Sequence, residues 1–205
     1  MLVARDEYFV VLRAADRYLK SYPNSLEIQW LKLTLLLDHV HRIEEVTELI
    51  EALAPAYDFD PRFVGAIVTY ESSFRTAVEG PVYEKGLLQI SLIASQEIYA
   101  RWGVDVRGLV AYDPVTNLEA AMLYLSWLSD LLDGDLAKVV TAYNTGVSSV
   151  LAGEVSPATQ AYTSRILNAY ARAQQGLFFE IWDFYREIAV TTLRLLNLVG
   201  IGGRS

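Results

Sequence analysis

Apolar side chains recur every three to four residues along most of this chain, and this spacing constrains the fold more than any other feature. Such a repeat places apolar groups on one face of an α-helix. Proline, glycine and capping residues divide the repeat into separate helices. Alternating strand patterns are not evident beyond one possible hairpin within 76–85. We predict a mainly α fold with helices at about 5–21, 25–54 (one long helix, or two broken near His41), 61–71, 91–102, 113–133, 135–150, 158–174 and 178–198.

One carboxylate interrupts an apolar stretch and is the best catalytic candidate in the sequence. Phe63, Ile67, Val68 and Tyr70 share a helical spacing, and Glu71 follows them directly. Burial beside apolar side chains disfavours the charged form of a carboxyl and raises its pKa. A glutamate that stays protonated near neutral pH can give its proton to a leaving oxygen, as glycosidic-bond cleavage requires. The alternative is a helix-end glutamate that points at water, and the residues alone leave both open.

The composition excludes several classes of protein. A hydrophobic fraction of 53% within 205 residues is typical of a folded, core-rich chain and not of a disordered one. The net charge of −8 argues against binding to nucleic acid or to anionic lipid, because both attract basic surfaces. The chain contains no cysteine, which rules out a disulfide framework, a cysteine-based zinc site and a cysteine nucleophile. A glycine-rich phosphate loop and a G-x-S-x-G motif are also missing from the sequence.

The two histidines do not predict a metal site, and the sequence implies no cofactor. His39 and His41 are two positions apart and therefore point to different faces of a helix. A third ligand does not follow at helical spacing. We interpret both as solvated side chains.

The sequence predicts neither a transmembrane helix nor an uncleaved signal peptide. The most apolar runs, 31–37 and 188–201, are short or interrupted by Lys32 and Arg194. They fall below the roughly 20 residues that span a bilayer. Charged residues within 1–8 occupy the place of the apolar segment of a signal peptide.

Several short motifs occur in an order, and at spacings, that resemble one group of enzymes. They are Glu71-Ser72-x-Phe74, Gly86-Leu87-Leu88-Gln89-Ile90, Asp113-Pro114-x-x-Asn117-Leu118 with Tyr124-Leu125-x-x-Leu128, Ala142-Tyr143-Asn144-Thr145-Gly146, and Thr159-x-x-Tyr162. A single tetrapeptide arises easily by chance, whereas this ordered set is specific. Over about residues 58–170 the chain resembles the soluble lytic transglycosylase and goose-type lysozyme group of the lysozyme-like superfamily. The resemblance implies a lysozyme-like catalytic lobe with additional N- and C-terminal helices and at most a small β-hairpin.

The resemblance also implies an activity and a set of site residues. The expected reaction is cleavage of the β-1,4 bond between N-acetylmuramic acid and N-acetylglucosamine in peptidoglycan, with 1,6-anhydro ends as products. Glu71 matches the catalytic glutamate of the group. Gln89, Tyr143, Asn144 and Tyr162 match residues of the glycan groove, with Gln89 and Tyr143 nearest the scissile bond. A phenol or an amide can bond sugar hydroxyls while presenting an apolar face.

The loop before Gly86 departs from the pattern of the group. Its residues, from Gly80 to Lys85, place Tyr83 and Glu84 where members of the group often carry small residues. Goose-type enzymes carry an acidic residue close to this position that is proposed to activate water. Hydrolysis with Glu84 as a second carboxylate is therefore one alternative, and a solvated loop residue is the other. A non-catalytic protein that binds the cell wall or builds a virion is a third hypothesis for the whole chain.

We expect three parts along the chain: a helical extension at 1–57, a catalytic domain at 58–175 and an apolar helix at 176–205. Asp113 and Asn117 are interpreted as residues that cap and brace the helix they open. The apolar stripe of the last helix, which we expect to pack on the N-terminal helices, could also dock a protein partner. The protein is expected to act in the periplasm or on the cell wall, and a virion-carried or other phage-encoded enzyme also fits the sequence.

Overall fold

The structure confirms the mainly α fold. The computed structural model of the protein describes residues 7–81, 83–176 and 179–199, and the predicted helix start at Phe178 lies outside them. In this part of the chain there are nine α-helices and no strand. The helices are α1 (Glu7–Ser21), α2 (Leu26–Leu53), α3 (Pro61–Glu71), α4 (Leu92–Trp102), α5 (Pro114–Leu131), α6 (Leu136–Thr145), α7 (Val147–Ala152), α8 (Pro157–Gln174) and α9 (Phe179–Leu198), with short 3-10 helices at Ala54–Tyr57 and Gly108–Tyr112.

Three local expectations are settled by the structure. The segment after Ser25 forms one long helix, α2, without a break near His41. The predicted helix at 135–150 is wrong, because Gly146 divides it into α6 and α7. Gly146 adopts φ 88° and ψ 146°. This conformation is not helical, and glycine reaches it readily because it has no Cβ. The possible hairpin is reduced to two isolated bridges, Glu79 with Lys85 and Lys85 with Ile90.

The chain divides into two compact units. The first holds α1, α9 and the part of α2 up to Glu45, and the second spans Val46–Leu177. The three-part division predicted from the sequence stays a prediction. Among the described residues no helix is both long and apolar enough to cross a membrane.

In the first unit, a buried lysine joins three helices. Lys32 on α2 is only 6% exposed, and its ammonium lies 2.8 Å from carboxylate oxygens of both Asp16 on α1 and Glu187 on α9. The hydroxyl of Tyr8 donates to the backbone oxygen of Leu35 over 2.9 Å. These contacts tie α1 and α9 to the N-terminal part of α2.

The interpretation of both histidines as solvated is wrong for His39. Its side chain is 2% exposed, and its ring packs against Tyr8, Phe9 and Phe184 at centroid distances of 5.0, 5.5 and 4.6 Å. His41 is exposed and lies 3.2 Å from Glu45. The position of His39 on α2 faces α1 and α9, whose aromatic residues are far away in sequence.

In the second unit, α3 lies in the core and α8 contacts it at both ends. Residues Phe63 to Val68 of α3 are buried. At the start of the helix, the Asp60 side chain accepts a hydrogen bond from the Arg62 amide over 2.9 Å, as an N-cap does. The hydroxyl of Tyr170, on α8, donates to the same carboxylate over 3.1 Å. Another residue of α8, described below, contacts the last residue of α3.

Candidate active site

Glu71 ends α3 with a partly buried carboxyl group. Burial raises the pKa of this carboxyl from 4.5 to about 7. The hydrogen bond from Tyr162 acts in the opposite direction, and the negative charge of Glu84 adds to the rise. A carboxyl with this pKa is protonated for a large fraction of the time at neutral pH, as a general acid must be.

The backbone turns sharply directly after Glu71. Ser73 and Phe74 adopt φ 50° and 61°, so two consecutive residues other than glycine are in the left-handed region. Each such residue costs on the order of 1 kcal/mol or more, and strain of this kind concentrates at functional sites. Ser72 anchors the turn because its amide donates to the Val68 oxygen over 3.0 Å and its own carbonyl accepts from the Arg75 guanidinium over 2.9 Å. The turn therefore fixes the end of α3 at the carboxyl-bearing residue.

Two tyrosines from different helices lie beside Glu71. Tyr162 on α8 donates its hydroxyl hydrogen to Oε1 of Glu71. Tyr143 on α6 donates to the Leu88 carbonyl over 2.6 Å. Burial raises the pKa of both phenols, and the negative charge of Glu71 raises both further. Both tyrosines are therefore protonated donors at neutral pH.

The Leu88 carbonyl that accepts from Tyr143 belongs to a tight loop, 86–90. Gly86 adopts φ 79° and Gln89 adopts φ 48°. The side-chain amide of Gln89 donates to the carbonyls of Gly86, over 2.7 Å, and Val78, over 3.2 Å. Gln89 thus uses its amide hydrogens to close the loop, and a role toward a glycan would fall to its oxygen.

The carboxylate of Glu84 lies against this loop. A Cβ atom at Gly80 would stand 2.4 Å from Oε2 of Glu84 and 2.8 Å from Oε1 of Gln89. Both side-chain oxygens therefore converge on the open side of Gly80. Glu84 is partly buried, and its charge acts on the pKa of Glu71. The two alternatives for Glu84, a second carboxylate and a solvated loop residue, both stay predictions.

The structure brings together most of the residues singled out in the sequence. Glu71, Glu84, Tyr143 and Tyr162 interact through hydrogen bonds or charge. Asn144 is exposed in the last turn of α6, next to Tyr143. The described residues contain no group of three or more acidic or histidine side chains that could hold a metal ion.

The interpretation of Asn117 missed its contacts. Asp113 caps α5 as expected, since its side chain accepts from the Thr116 amide over 2.8 Å. Asn117, one turn later, is 0% exposed and bonds backbone groups of Lys85, Leu88 and Ala111 instead of bracing its own helix. The signal in the sequence was the place of Asn117 in the motif Asp113-Pro114-x-x-Asn117-Leu118, which does not indicate the partners of its side chain.

Comparisons with known proteins place these elements in a family context. The Transglycosylase SLT domain matches residues 48–164. The chain is 27% identical over 147 residues to membrane-bound lytic murein transglycosylase C of Cronobacter sakazakii, which covers 65% of this chain and 41% of that protein. It is 28% identical over 139 residues to the protein of the same name from Actinobacillus pleuropneumoniae, covering 62% of this chain and 38% of that protein. The chain thus spans about two fifths of the length of these relatives.

Two solved structures share the fold. The lytic transglycosylase Slt of Pseudomonas aeruginosa aligns with a TM-score of 0.57 and 17% identity over 88% of this chain and 32% of that one. The 70-kDa soluble lytic transglycosylase in complex with bulgecin A aligns with a TM-score of 0.57 and 20% identity over 79% of this chain and 30% of that one. At these identities the likeness concerns the fold alone.

Proposed function

The chain belongs to the Transglycosylase SLT domain family, as its motifs predicted, and from this premise we propose that it is a peptidoglycan lytic transglycosylase. It would cleave the β-1,4 bond between N-acetylmuramic acid and N-acetylglucosamine and leave 1,6-anhydro ends. The observation that carries this proposal is the partly buried carboxyl of Glu71 at the end of α3, whose pKa is raised to about 7 and which accepts a hydrogen bond from Tyr162. Relatives named lytic murein transglycosylases support the same reaction class.

The geometry suggests how one carboxyl serves both steps. In the first step, Glu71 gives its proton to the glycosidic oxygen, and the bond from C1 of the muramic acid to that oxygen breaks with its electrons on the leaving sugar. The acetamido group of the substrate can stabilise C1 between the steps, as in substrate-assisted enzymes. In the second step, the C6 hydroxyl oxygen bonds C1, and its proton returns to Glu71. Water is neither consumed nor released.

The tyrosines have different tasks in this scheme. The Tyr162 hydroxyl donates to Glu71 and so stabilises the carboxylate that forms when the proton leaves. The Tyr143 hydrogen is used by the Leu88 carbonyl, which leaves the Tyr143 oxygen as an acceptor for a substrate donor. Gln89 and Asn144 are proposed as groove residues that contact the glycan.

The activity should depend on pH through Glu71. Because the acid must be protonated, kcat/KM is expected to fall above about pH 7. In Tyr162→Phe the hydrogen bond that lowers this pKa is lost, so the fall should move to higher pH by about one unit. Tyr170→Phe, which removes a phenol hydroxyl from the same helix but not from Glu71, should leave the profile in place. A profile for Tyr162→Phe that moves to lower pH would contradict the assigned role.

Hydrolysis remains a second candidate, because the charge of Glu84 acts on Glu71. The two reactions differ in their products. Purified murein digested in H₂¹⁸O should yield anhydro-muropeptides without the label, identified by mass spectrometry. Reducing ends that carry ¹⁸O, and that disappear in Glu84→Gln, would establish Glu84 as a water-activating base instead. In the transglycosylase scheme Glu84→Gln should keep the anhydro product and change the rate by less than about tenfold.

The substrate and site of action follow from the same proposal. The protein would act on peptidoglycan glycan strands, in the periplasm or on the cell wall. A virion-associated origin and a protein partner at α9 stay predictions from the sequence.

A further inference from the structure

Asn117 is buried among the site elements and all its side-chain bonding groups are used. The residue is 0% exposed on α5. Its Oδ1 accepts the Leu88 amide hydrogen over 2.9 Å, and its Nδ2 donates to the carbonyls of Lys85 and Ala111, each over 2.9 Å. One side chain therefore holds three backbone groups. They are the Lys85 carbonyl directly before Gly86, the Leu88 amide within the loop 86–90, and the Ala111 carbonyl.

Leu88 is held on both of its backbone groups. Its amide hydrogen goes to Asn117, and its carbonyl accepts the hydroxyl hydrogen of Tyr143 over 2.6 Å. The Leu88 side chain is also fully buried, at 0% exposure. Asn117 thus holds the peptide group before the Leu88 Cα, and Tyr143 bonds the peptide group after it, so both bonds act on the backbone of one buried residue.

Tyr143 in turn is coupled to the candidate acid. The charge of Glu71 acts on the Tyr143 phenol. A contact sequence thus runs from Asn117 through Leu88 and Tyr143 to the surroundings of Glu71. The links from Asn117 to Tyr143 are hydrogen bonds, which depend on direction, and the last is the charge of Glu71 acting on a partly buried phenol.

We propose that Asn117 is a positioning residue for the reaction: it orients the Tyr143 hydroxyl through the backbone of Leu88. This rests on the proposed function for its kinetic consequence. A purely structural Asn117 would stabilise the loop without affecting turnover beyond any loss of folded protein. A positioning Asn117 acts on turnover, and it does so only while Tyr143 has a hydroxyl.

A double-mutant cycle separates the two roles. Asn117→Ala and Tyr143→Phe are each expected to lower kcat by about tenfold or more, with KM changed less than about threefold. The kcat of the double variant should be within about twofold of that of Tyr143→Phe, because Tyr143→Phe already removes the hydroxyl through which Asn117 acts. Losses that multiply in the double variant overturn the proposal. Ser95→Ala, which removes a partly buried hydrogen bond of 2.7 Å in α4, is the matched control, and its effect should multiply with Tyr143→Phe.

A second variant covers the case in which Asn117→Ala does not fold. Asn117→Asp keeps the oxygen that accepts from Leu88, and its second oxygen replaces the amide that donates to Lys85 and Ala111; at this buried position the carboxyl is expected to be protonated, so it can donate to only one of the two carbonyls. It should therefore melt at a lower temperature than the wild type but retain kcat within about threefold. A fall in kcat as large as that of Tyr143→Phe would contradict a role through Leu88.

A spectroscopic measurement keeps the proposal independent of turnover. In protein labelled with ¹³Cζ-tyrosine, the Tyr143 resonance is assigned by its absence in Tyr143→Phe. This resonance should shift in Asn117→Ala and stay unchanged in Ser95→Ala. If Asn117→Ala is unstable to heat, its spectrum is recorded under stabilising conditions. If the wild-type protein shows no turnover of murein, the proposed function fails, but the shift still tests whether Asn117 positions Tyr143. A Tyr143 signal that does not move in Asn117→Ala overturns the positioning role.

Discussion

Glu71→Gln is expected to abolish murein solubilisation, with a loss of at least about a thousandfold in kcat/KM, while the fold is retained. The amide has nearly the same shape but can neither donate the required proton nor take one back, so both steps fail. The measurement is turbidity loss of purified murein sacculi, with circular dichroism to verify the helical content.

The control is another glutamate of the same unit. Glu154 is exposed in the loop after α7, and Glu154→Gln should retain the wild-type rate within about twofold. Wild-type turnover by Glu71→Gln would refute the enzyme hypothesis and favour a non-catalytic protein that binds the cell wall.

The same substitution should change stability with pH in a defined direction. Burial raises the pKa of Glu71 from 4.5 to about 7, so the folded protein binds this proton more tightly than the unfolded chain. The resulting stabilisation is fully present below pH 4.5 and is lost as pH rises through 7. At pH 8, Glu71→Gln should therefore unfold with a free energy higher than that of the wild type, on the order of 2 kcal/mol after allowance for partial exposure. Urea unfolding at pH 4 and pH 8 measures the difference, which should vanish at the lower pH.

Gly86→Ala is expected to have the second largest effect. Gly86 adopts φ 79°, where an L side chain is strained, and a Cβ would stand 2.3 Å from Nδ2 of Asn117 and 2.4 Å from the backbone oxygen of Ala111. The backbone oxygen cannot move aside cheaply. We expect a loss of roughly 3 kcal/mol or more in unfolding free energy, together with loss of most activity, because Asn117 is displaced from Leu88.

Gly103 provides the matched comparison for Gly86. It ends α4 with φ 71°, and no atom lies within 4 Å of the position of its Cβ. Gly103→Ala should therefore lower the free energy of unfolding by only about 1 kcal/mol, the cost of the left-handed backbone, and keep its activity. Equal losses in the two variants, measured by urea unfolding, would show that backbone strain and not overlap with Asn117 decides the effect.

The parts of the fold and site that the sequence predicts are those set by nearby residues. The start of α3 follows from Asp60 and Pro61, and the end of α4 follows from Gly103, because capping acts over a few positions. Glu71 was a candidate acid from its apolar helix alone, and burial does raise its pKa.

The parts that the sequence misses depend on residues far apart in the chain. Tyr162 bonds a carboxyl 91 positions away, and Asn117 bonds an amide 29 positions away. Helical spacing indicates which face of a helix is apolar but not which polar groups of other elements meet it. The prediction of a solvated His39 was wrong for the same reason, since its aromatic partners come from α1 and α9.

The two contacts of α8 with α3 have a consequence for how this domain can vary. Tyr170 bonds the N-cap Asp60, and Tyr162 bonds Glu71 at the other end of the same helix. A helix advances ~1.5 Å and turns ~100° with each residue. One residue inserted or deleted between 162 and 170 would therefore rotate one phenol away from its partner, whereas substitutions on the exposed face leave both in place. Insertions and deletions that this domain tolerates should consequently be confined to loops such as 153–156. The interval of eight residues from Tyr162 to Tyr170 on α8 should be kept.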